Sequence, residues 1–396
     1  MANAYTSTGA ATLGGTSGSA GLVQQAYDRL LEFALRSEPL IRSVADKTPA
    51  RQSIPGSTVT LQRYVDLAQN TTALSETVDP DAVALSTPTN VNITLNEYGN
   101  SVLVTRALEL FSLADVDPAI ANVIAYNLAD SIDAIAMTTL RGGTNKIFGG
   151  SATSTATVAA ASTLDSADIR KAVAKLRANK AVGRKGSLYW AGIHPEVSHD
   201  LRAETGSAGW LLPNQYGSAQ DRIWAGEIGT YEGAYYVESA RMYNAKSGAD
   251  QTALATASAV SGVSGAFTIV AANAAFGGKA EVGDKISGTN VGASAKITAI
   301  SVGATNTTFT VDVANSGTVG TNTLTVTPVT RVFNTIVCGQ QAMAQAVAEE
   351  PHVVIGPVVD KLMRHRPMGW YGVLGFGIYR EDALYRLETG SSIAAL

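Results

Sequence analysis

The stretch from Asp117 to Leu140, DPAIANVIAYNLADSIDAIAMTTL, limits most what this chain can fold into. Asp117 suits an N-cap, and Pro118 suits the first helical position, where its missing N–H costs nothing. Ile120, Val123, Ile124, Leu128, Ile132, Ile135 and Leu140 recur at three-and-four spacing, which predicts one apolar stripe. Alanines fill much of the remainder and favour helix. Gly142 and Gly143 end it. About 24 residues at ~1.5 Å rise make a rod of roughly 36 Å. Lying between two β-rich regions, it reads as a spine rather than as one helix among equals.

Bulk properties narrow the class. A chain of 396 residues has room for two or three domains. Only 16% of residues are charged, low for a free-standing enzyme, and a charge-poor surface is less costly when neighbours cover it. The net charge of −4 gives no polycation to hold nucleic acid by counterion release. The single cysteine, Cys338 in TIVCG, cannot form an internal disulfide and reads as a small buried hydrophobe. The N-terminus lacks the basic start and apolar run of a secretion signal, and no run of about 18 apolar residues predicts a membrane span. The expectation is a soluble protein made in a reducing compartment.

Residues 1–20 carry no charged side chain and are rich in Gly, Ser, Thr and Ala. A floppy tail and an arm that orders against a neighbouring subunit are both open. From Gly21 the pattern turns helical, with Leu22, Ala26, Leu30, Phe33 and Ala34 on one face; a second short helical piece is read at Leu40 to Asp46. Residues 51–105 form a long β excursion. TVTLQRYV and VNITLNEYGNSVLVT alternate at period two, and the intervening polar stretch centres on Asp79-Pro80-Asp81. Such an excursion is usually functional or packs on another molecule.

After the rod, SADIRKAVAKLRANKA reads as an amphipathic helix capped by Asp165 or Ser166, with Ile169, Val173 and Leu176 inward. A strand SLYWAGI, a helix opened by His194-Pro195 and strands in TYEGAYYVESARM follow, an α+β pattern. From about Ala245 to Val329 the composition shifts to Gly, Ser, Thr, Ala, Val and Asn. The short runs AFTIV, KITAISV, TTFTVDV and TLTVTPV predict a small β-sandwich or barrel inserted into the α+β domain, which resumes at Arg331. The finish is strand-rich, with Gly369, Gly372, Gly375 and Gly377 among Trp370, Tyr371, Phe376 and Tyr379.

No catalytic constellation stands out. His194 and His199 lie five apart, off the spacing helical metal pairs use, and no H-E-x-x-H, C-x-x-C, phosphate loop or nucleophile elbow is present. Glu76, Asp79 and Asp81 lack the spacing of a calcium loop. Lys361, Arg364, His365 and Arg366 form a small basic cluster that suits intersubunit ion pairs or contact with packaged nucleic acid. The sequence predicts no enzyme, cofactor or metal.

The order of parts, with GSTVTLQRYVDL, SETVDPDAVAL, NEYGNSVLVT, the rod, HPEVSHDLR, GEIGTYEGAYYVES and HRPMGWYGVLGFGIYREDALYRLETGS, resembles the major capsid proteins of tailed bacteriophages, which have the Hong Kong ninety-seven phage fold. It is most similar to the podovirus-type branch related to the coat protein of phage N-four. The resemblance implies an α+β fold with an N-terminal arm (1–20), N-terminal helices (21–50), an extended β loop (51–105) and a peripheral domain (106–165) holding the spine helix (117–140). An axial domain (166–244 and 331–396) with return strands and an inserted β domain (245–330) complete it. It implies homo-hexamers and pentamers in an icosahedral shell around double-stranded DNA, a virion protein assembled in the host cytoplasm. A separate scaffolding protein, a portal and a decoration protein are the further partners. Subunit-interface residues expected on this reading are Arg51, Arg63, Glu76, Asp79, Asp81, Lys361, Arg364 and Arg366. Ile120, Ile124, Leu128, Ile132 and Ile135 are expected in the spine-helix core, with Asn122, Asp130 and Asp133 on the face that meets neighbours or DNA. An encapsulin-like compartment, a bacterial surface or adhesion protein, and an enzyme with an unseen site are the alternatives.

Overall fold

In the computed structural model of the chain, the residues described are 41–49, 57–64, 67, 69–71, 73–74, 76–77, 83–85, 87–106, 116–204, 227–253, 255–272, 280–357, 362 and 364–393. The expected arm at 1–20 and the helix from Gly21 lie outside them. The described residues give an α+β fold.

A 3-10 turn, Ile41–Val44, leads into β1 (Asp46–Pro49). The helical reading of Leu40 to Asp46 is therefore corrected at its end. Parallel pairing of β1 with a later strand, Asp46 opposite Ala344, overrides the weak local helix signal. Next come β2 (Thr58–Arg63), β3 (Thr89–Thr94) and β4 (Asn96–Thr105). The first two form an antiparallel pair in register from Thr58 opposite Thr94 to Arg63 opposite Thr89.

Helix α1 spans Val116–Arg141. Ile124, Ile132, Ala136, Met137 and Leu140 are buried, whereas Ile120, Leu128 and Ile135 are half-buried. Two sequence readings need correction. Val123 is 48% exposed, so it lies off the buried stripe. Asp133 is 1% exposed rather than on an open polar face. The buried stripe includes Ala136 and Met137, and i−3 and i−4 from these places Asp133 and Ile132 beneath the same cover. Its carboxylate accepts the backbone N–H of Arg42 at 2.8 Å, which satisfies a charge that burial alone would make costly.

The α+β part follows with β5 (Lys146–Phe148), α2 (Ser166–Ala178), β6 (Tyr189–Ile193), α3 (Pro195–Ala203), β7 (Glu227–Tyr231), β8 (Ala234–Glu238) and β9 (Asn244–Asp250). Asp165 caps α2, its side chain accepting from the Asp168 N–H at 2.9 Å. Ile169, Ala172, Val173 and Leu176 bury the inward face. Glu232 and Gly233, at φ of 49° and 84°, turn β7 into β8, a two-residue hairpin that needs both residues left-handed.

Six strands then lie together in sequence: β10 (Ala255–Ser261), β11 (Thr268–Ala272), β12 (Lys285–Gly288), β13 (Ile297–Val302), β14 (Asn306–Val311) and β15 (Thr323–Thr327). Their order is β12-β15-β10-β11-β14-β13. The residues that open the two outer strands bond each other, Gly283 N–H to the Ile297 carbonyl at 2.8 Å and Ile286 N–H to the Ala295 carbonyl at 2.9 Å. These bonds close the sheet into a barrel at the start of β12 and β13. Its own core holds Ile269, Ile286, Ile297, Phe309, Val311, Leu324 and Val326.

The chain finishes with β16 (Val329–Cys338), β17 (Met343–Ile355), β18 (His365–Ile378) and β19 (Leu384–Thr389). The large sheet runs β5-β19-β16-β6-β8-β7, with β9 also on β16. Alpha-helix α2 packs on β16 and β19, and the main core gathers Ile169, Leu176, Trp190, Ile193, Tyr236, Phe333, Ile336 and Leu387. A second sheet has the order β1-β17-β18-β4. Two compact units divide the chain. One takes in Gly99–Leu128 and Pro351–Tyr371; the other takes in Ser37–Tyr98, Ala129–Glu350 and Gly372–Leu396.

Candidate functional site

Surfaces, not a pocket, are where this chain departs from an ordinary globular protein. The β2–β3 pair is exposed along most of its length, and the connection between its strands presents Tyr64, Leu67, Leu74, Val83 and Leu85 at 54–72% exposure. Large apolar side chains exposed in this number are what an interaction surface presents. What seats the pair on the body is glycine. A Cβ on Gly377 would lie 2.8 Å from Ile93 Cγ1, and one on Gly375 would run into the Thr94 carbonyl. Ile93, 1% exposed, fills the gap these glycines leave and joins a small core with Ala344 and Ala346.

At the base of the pair, Gln62, Arg63, Tyr64, Lys180, Arg380 and Asp382 help to line a cavity of about 490 Å³. Arg63 pairs with Asp382 at 3.5 Å within the same chain. Glu76 lies exposed in a turn of the connection. In the other unit, Arg366 is half-buried in β18, and the Arg364 carbonyl accepts the Arg106 N–H at 2.9 Å. Arg51, Asp79, Asp81 and Lys361 lie outside the described residues. That unit also exposes Val102, Leu103, Val353, Val354, Ile355 and Leu362 by 38–70%. Within it, Trp370 Nε1 donates to Asn127 Oδ1 at 2.9 Å and fixes the ring against the helix. On α1, Asn122 is exposed and Asp130 pairs with Arg241.

A group that sequence reasoning missed holds the barrel. Because β9 and β16 pair with each other, Arg331 opposite Lys246, the chain enters and leaves the barrel side by side. Lys246 Nζ sits 2.6 Å from Asp284 Oδ1 and 2.9 Å from Glu281 Oε2, and Arg331 is 3.1 Å from Glu281. Asp284, with its side chain 1% exposed, also accepts from the Val329 N–H at 3.2 Å. The hydrogen bond from Lys246 holds the Glu281 carboxyl below its ordinary range. The signal was present in the sequence: charges are sparse there, yet Glu281, Asp284 and Lys285 fall together.

Candidate nucleophiles and ligands have structural surroundings. Burial pushes the Cys338 thiol up to about 12, so no thiolate forms. His194 caps α3 by accepting the Glu196 N–H at Nδ1, and its ring packs on Phe333 at 4.9 Å between centroids. Burial, aided by the Arg331 charge, lowers its pKa. Among the described residues no three His, Cys, Asp or Glu side chains converge as a metal site.

No family model and no curated protein matches the sequence. Solved structures match across nearly the whole chain. The capsid of Ralstonia phage GP4 aligns at TM-score 0.59 and 14% identity, over 93% of this chain and 95% of that one. The capsid of cyanophage P-SCSP1u aligns at TM-score 0.55 and 13% identity, over 98% and 99%. The head of Helicobacter pylori bacteriophage KHP40 aligns at 0.55 and 13%, over 93% and 96%. At these identities the likeness is one of fold: the chain has the fold of phage capsid chains.

Proposed function

We propose that this chain is a major capsid protein, a non-enzymatic subunit that assembles into hexamers and pentamers of an icosahedral shell enclosing double-stranded DNA. The observation that carries the reading is the end-to-end fold likeness to phage capsid chains, over 93–98% of this chain. The exposed apolar surfaces support it. In a monomer they are a liability; repeated by symmetry they become interfaces, and many modest contacts give a stable lattice. On this reading α1 is the spine helix, residues 51–105 are the extended loop that covers a neighbour, and 245–330 is an inserted domain. Arg51, Arg63, Glu76, Asp79, Asp81, Lys361, Arg364 and Arg366 contribute to subunit contacts, the first set from the loop and the second from the basic cluster. The finer branch is that of the phage N-four coat protein, with a separate scaffolding protein, portal and decoration protein as partners in the virion.

The experiment is removal of residues 67–89, purified beside the wild type. The shortened subunit keeps its circular dichroism but, co-expressed with the scaffolding protein, no longer sediments as megadalton particles, whereas the wild type does; in particles from infected cells the wild-type shell protects DNA from nuclease. Normal particles from the shortened chain, or wild-type particles filled with protein cargo, overturn the corresponding part of the reading.

A further inference from the structure

Lys246 lies on β9, where the chain enters the barrel, and the turn from Glu281 to Asp284 lies just before β12. The turn packs directly on the lysine. Gly283, at φ of 99°, comes so close that a Cβ there would lie 2.9 Å from Lys246 Cβ. Lys246 Nζ is held 2.6 Å from Asp284 Oδ1. With a carbon–oxygen bond of about 1.2 Å, the nitrogen is no more than ~3.8 Å from the carboxyl carbon. Glu281 Oε2 meets the same Nζ at 2.9 Å. Backbone N–H groups hold both oxygens of the Asp284 carboxyl, Val329 donating to Oδ1 at 3.2 Å and Glu281 to Oδ2 at 2.8 Å. The Asp284 side chain is 1% exposed and the Lys246 side chain 11%. Lys171 and Lys285 also pair with aspartates, but their side chains are 60% and 34% exposed, and water favours the ammonium form there.

An amine, a carboxyl group, a second carboxylate and two fixed N–H donors are the parts of an acyl transfer. We propose that Lys246 and Asp284 condense to an amide, a covalent tie within one chain between β9 and the start of β12. Lys246 Nζ first gives a proton to Asp284 Oδ1, leaving a neutral amine beside a neutral acid, and burial favours that neutral pair over two separate ions. The amine attacks Asp284 Cγ, forming the N–C bond, and passes its second proton to Glu281. The Glu281 N–H faces Oδ2, the oxygen that gains charge in this step. Glu281 returns the proton to the hydroxyl at Oδ1, the C–O bond breaks and water leaves, while the amide nitrogen keeps one hydrogen. Nothing is oxidised or reduced, and no co-reactant is consumed. Arg331, 3.1 Å from Glu281, favours the carboxylate that accepts the proton. A cavity of about 200 Å³ lined by Lys246, Glu281 and Arg331 borders the site and receives the water. Holding amine and acid in contact supplies the effective concentration that free solution lacks. The tie closes residues 246–284 into a loop and restrains the unfolded chain as a disulfide does. It also gives the barrel an attachment that salt does not screen. The capsid reading is not needed for it.

The test is the mass of the purified full chain, measured after unfolding in denaturant. Wild type is expected to weigh one water less than its sequence, and peptide mapping is expected to give one branched peptide joining Lys246 to Asp284. Lys246→Arg is expected to have the full mass and to run more slowly on a denaturing gel, because the closed loop is gone. Asp284→Asn is expected to give the same branched peptide as wild type, with ammonia lost in place of water, an outcome that a purely ion-pairing role does not produce. Glu281→Gln is expected to form the bond about a hundredfold more slowly, and an equal rate would count against the proposed transfer. A wild-type chain that keeps its full mass after prolonged incubation, with Lys246 open to an amine-specific reagent once unfolded, overturns the proposal whatever the variants do. A one-water deficit that maps to a succinimide at Asp284-Lys285, with no branched peptide, overturns it as well.

Discussion

The buried carboxylate of Asp133 on α1 accepts the backbone N–H of Arg42 at 2.8 Å, tying the chain just before β1 to the middle of the long helix. The same Arg42 reaches outward to Glu350, with its guanidinium 2.8 Å from the carboxylate. Asp133→Ala leaves the Arg42 N–H without this acceptor and is expected to cost about 1–3 kcal/mol, whereas Asp133→Asn keeps an acceptor oxygen and costs less. Urea unfolding of unassembled subunits measures both. Equal stability of the Ala variant and wild type would show that the tie contributes nothing.

Gly375 has no room for a side chain beside the Thr94 carbonyl. Gly375→Val is expected to lift β3 away, expose Ile93 and cost about 1–3 kcal/mol, an overpacking penalty. Limited proteolysis reads the change as new cleavage within 57–98. An unaltered cleavage pattern with unaltered stability would remove the glycines from their role in seating the β2–β3 pair.

His194 gives the fold an acid-sensitive element. Burial, then the Arg331 charge, lower its pKa from the usual 6.5, and Glu238 opposes them. The unfolded chain therefore binds a proton more readily than the folded one. The stability linked to this group is fully present above about pH 6.5 and is lost as pH falls through the folded-state value. His194→Asn keeps a capping acceptor for α3 but does not titrate. Unfolding midpoints measured from pH 8 to pH 5 are expected to fall more steeply for wild type than for the variant. Parallel curves would assign the acid response elsewhere.

Local signals carried much of the fold. The rod read at Asp117–Leu140 is α1 at Val116–Arg141, and the Asp165 cap, the His194-Pro195 start and the alternating runs that became β11, β13, β14 and β15 are all features of neighbouring residues. What the sequence hid depends on distant partners. Asp133 reads as a polar-face residue until Arg42, 91 positions away, is brought to it. Barrel closure rests on bonds such as Gly283 to Ile297 that no periodicity announces. The glycines of β18 were legible as close approach, but not that Ile93 is what approaches. For the exposed apolar surfaces, spacing located the long excursion, while its exposed Leu74 and Val83 are visible only once the body has folded without covering them.

The most direct measurement is negative-stain electron microscopy of the purified wild-type chain, expressed alone and together with the scaffolding protein of its own particle. Closed, uniform icosahedral shells with scaffold, and irregular shells or sheets of the same lattice without it, are the expected result. Discrete small oligomers under both conditions, with no curved lattice, would contradict the capsid account.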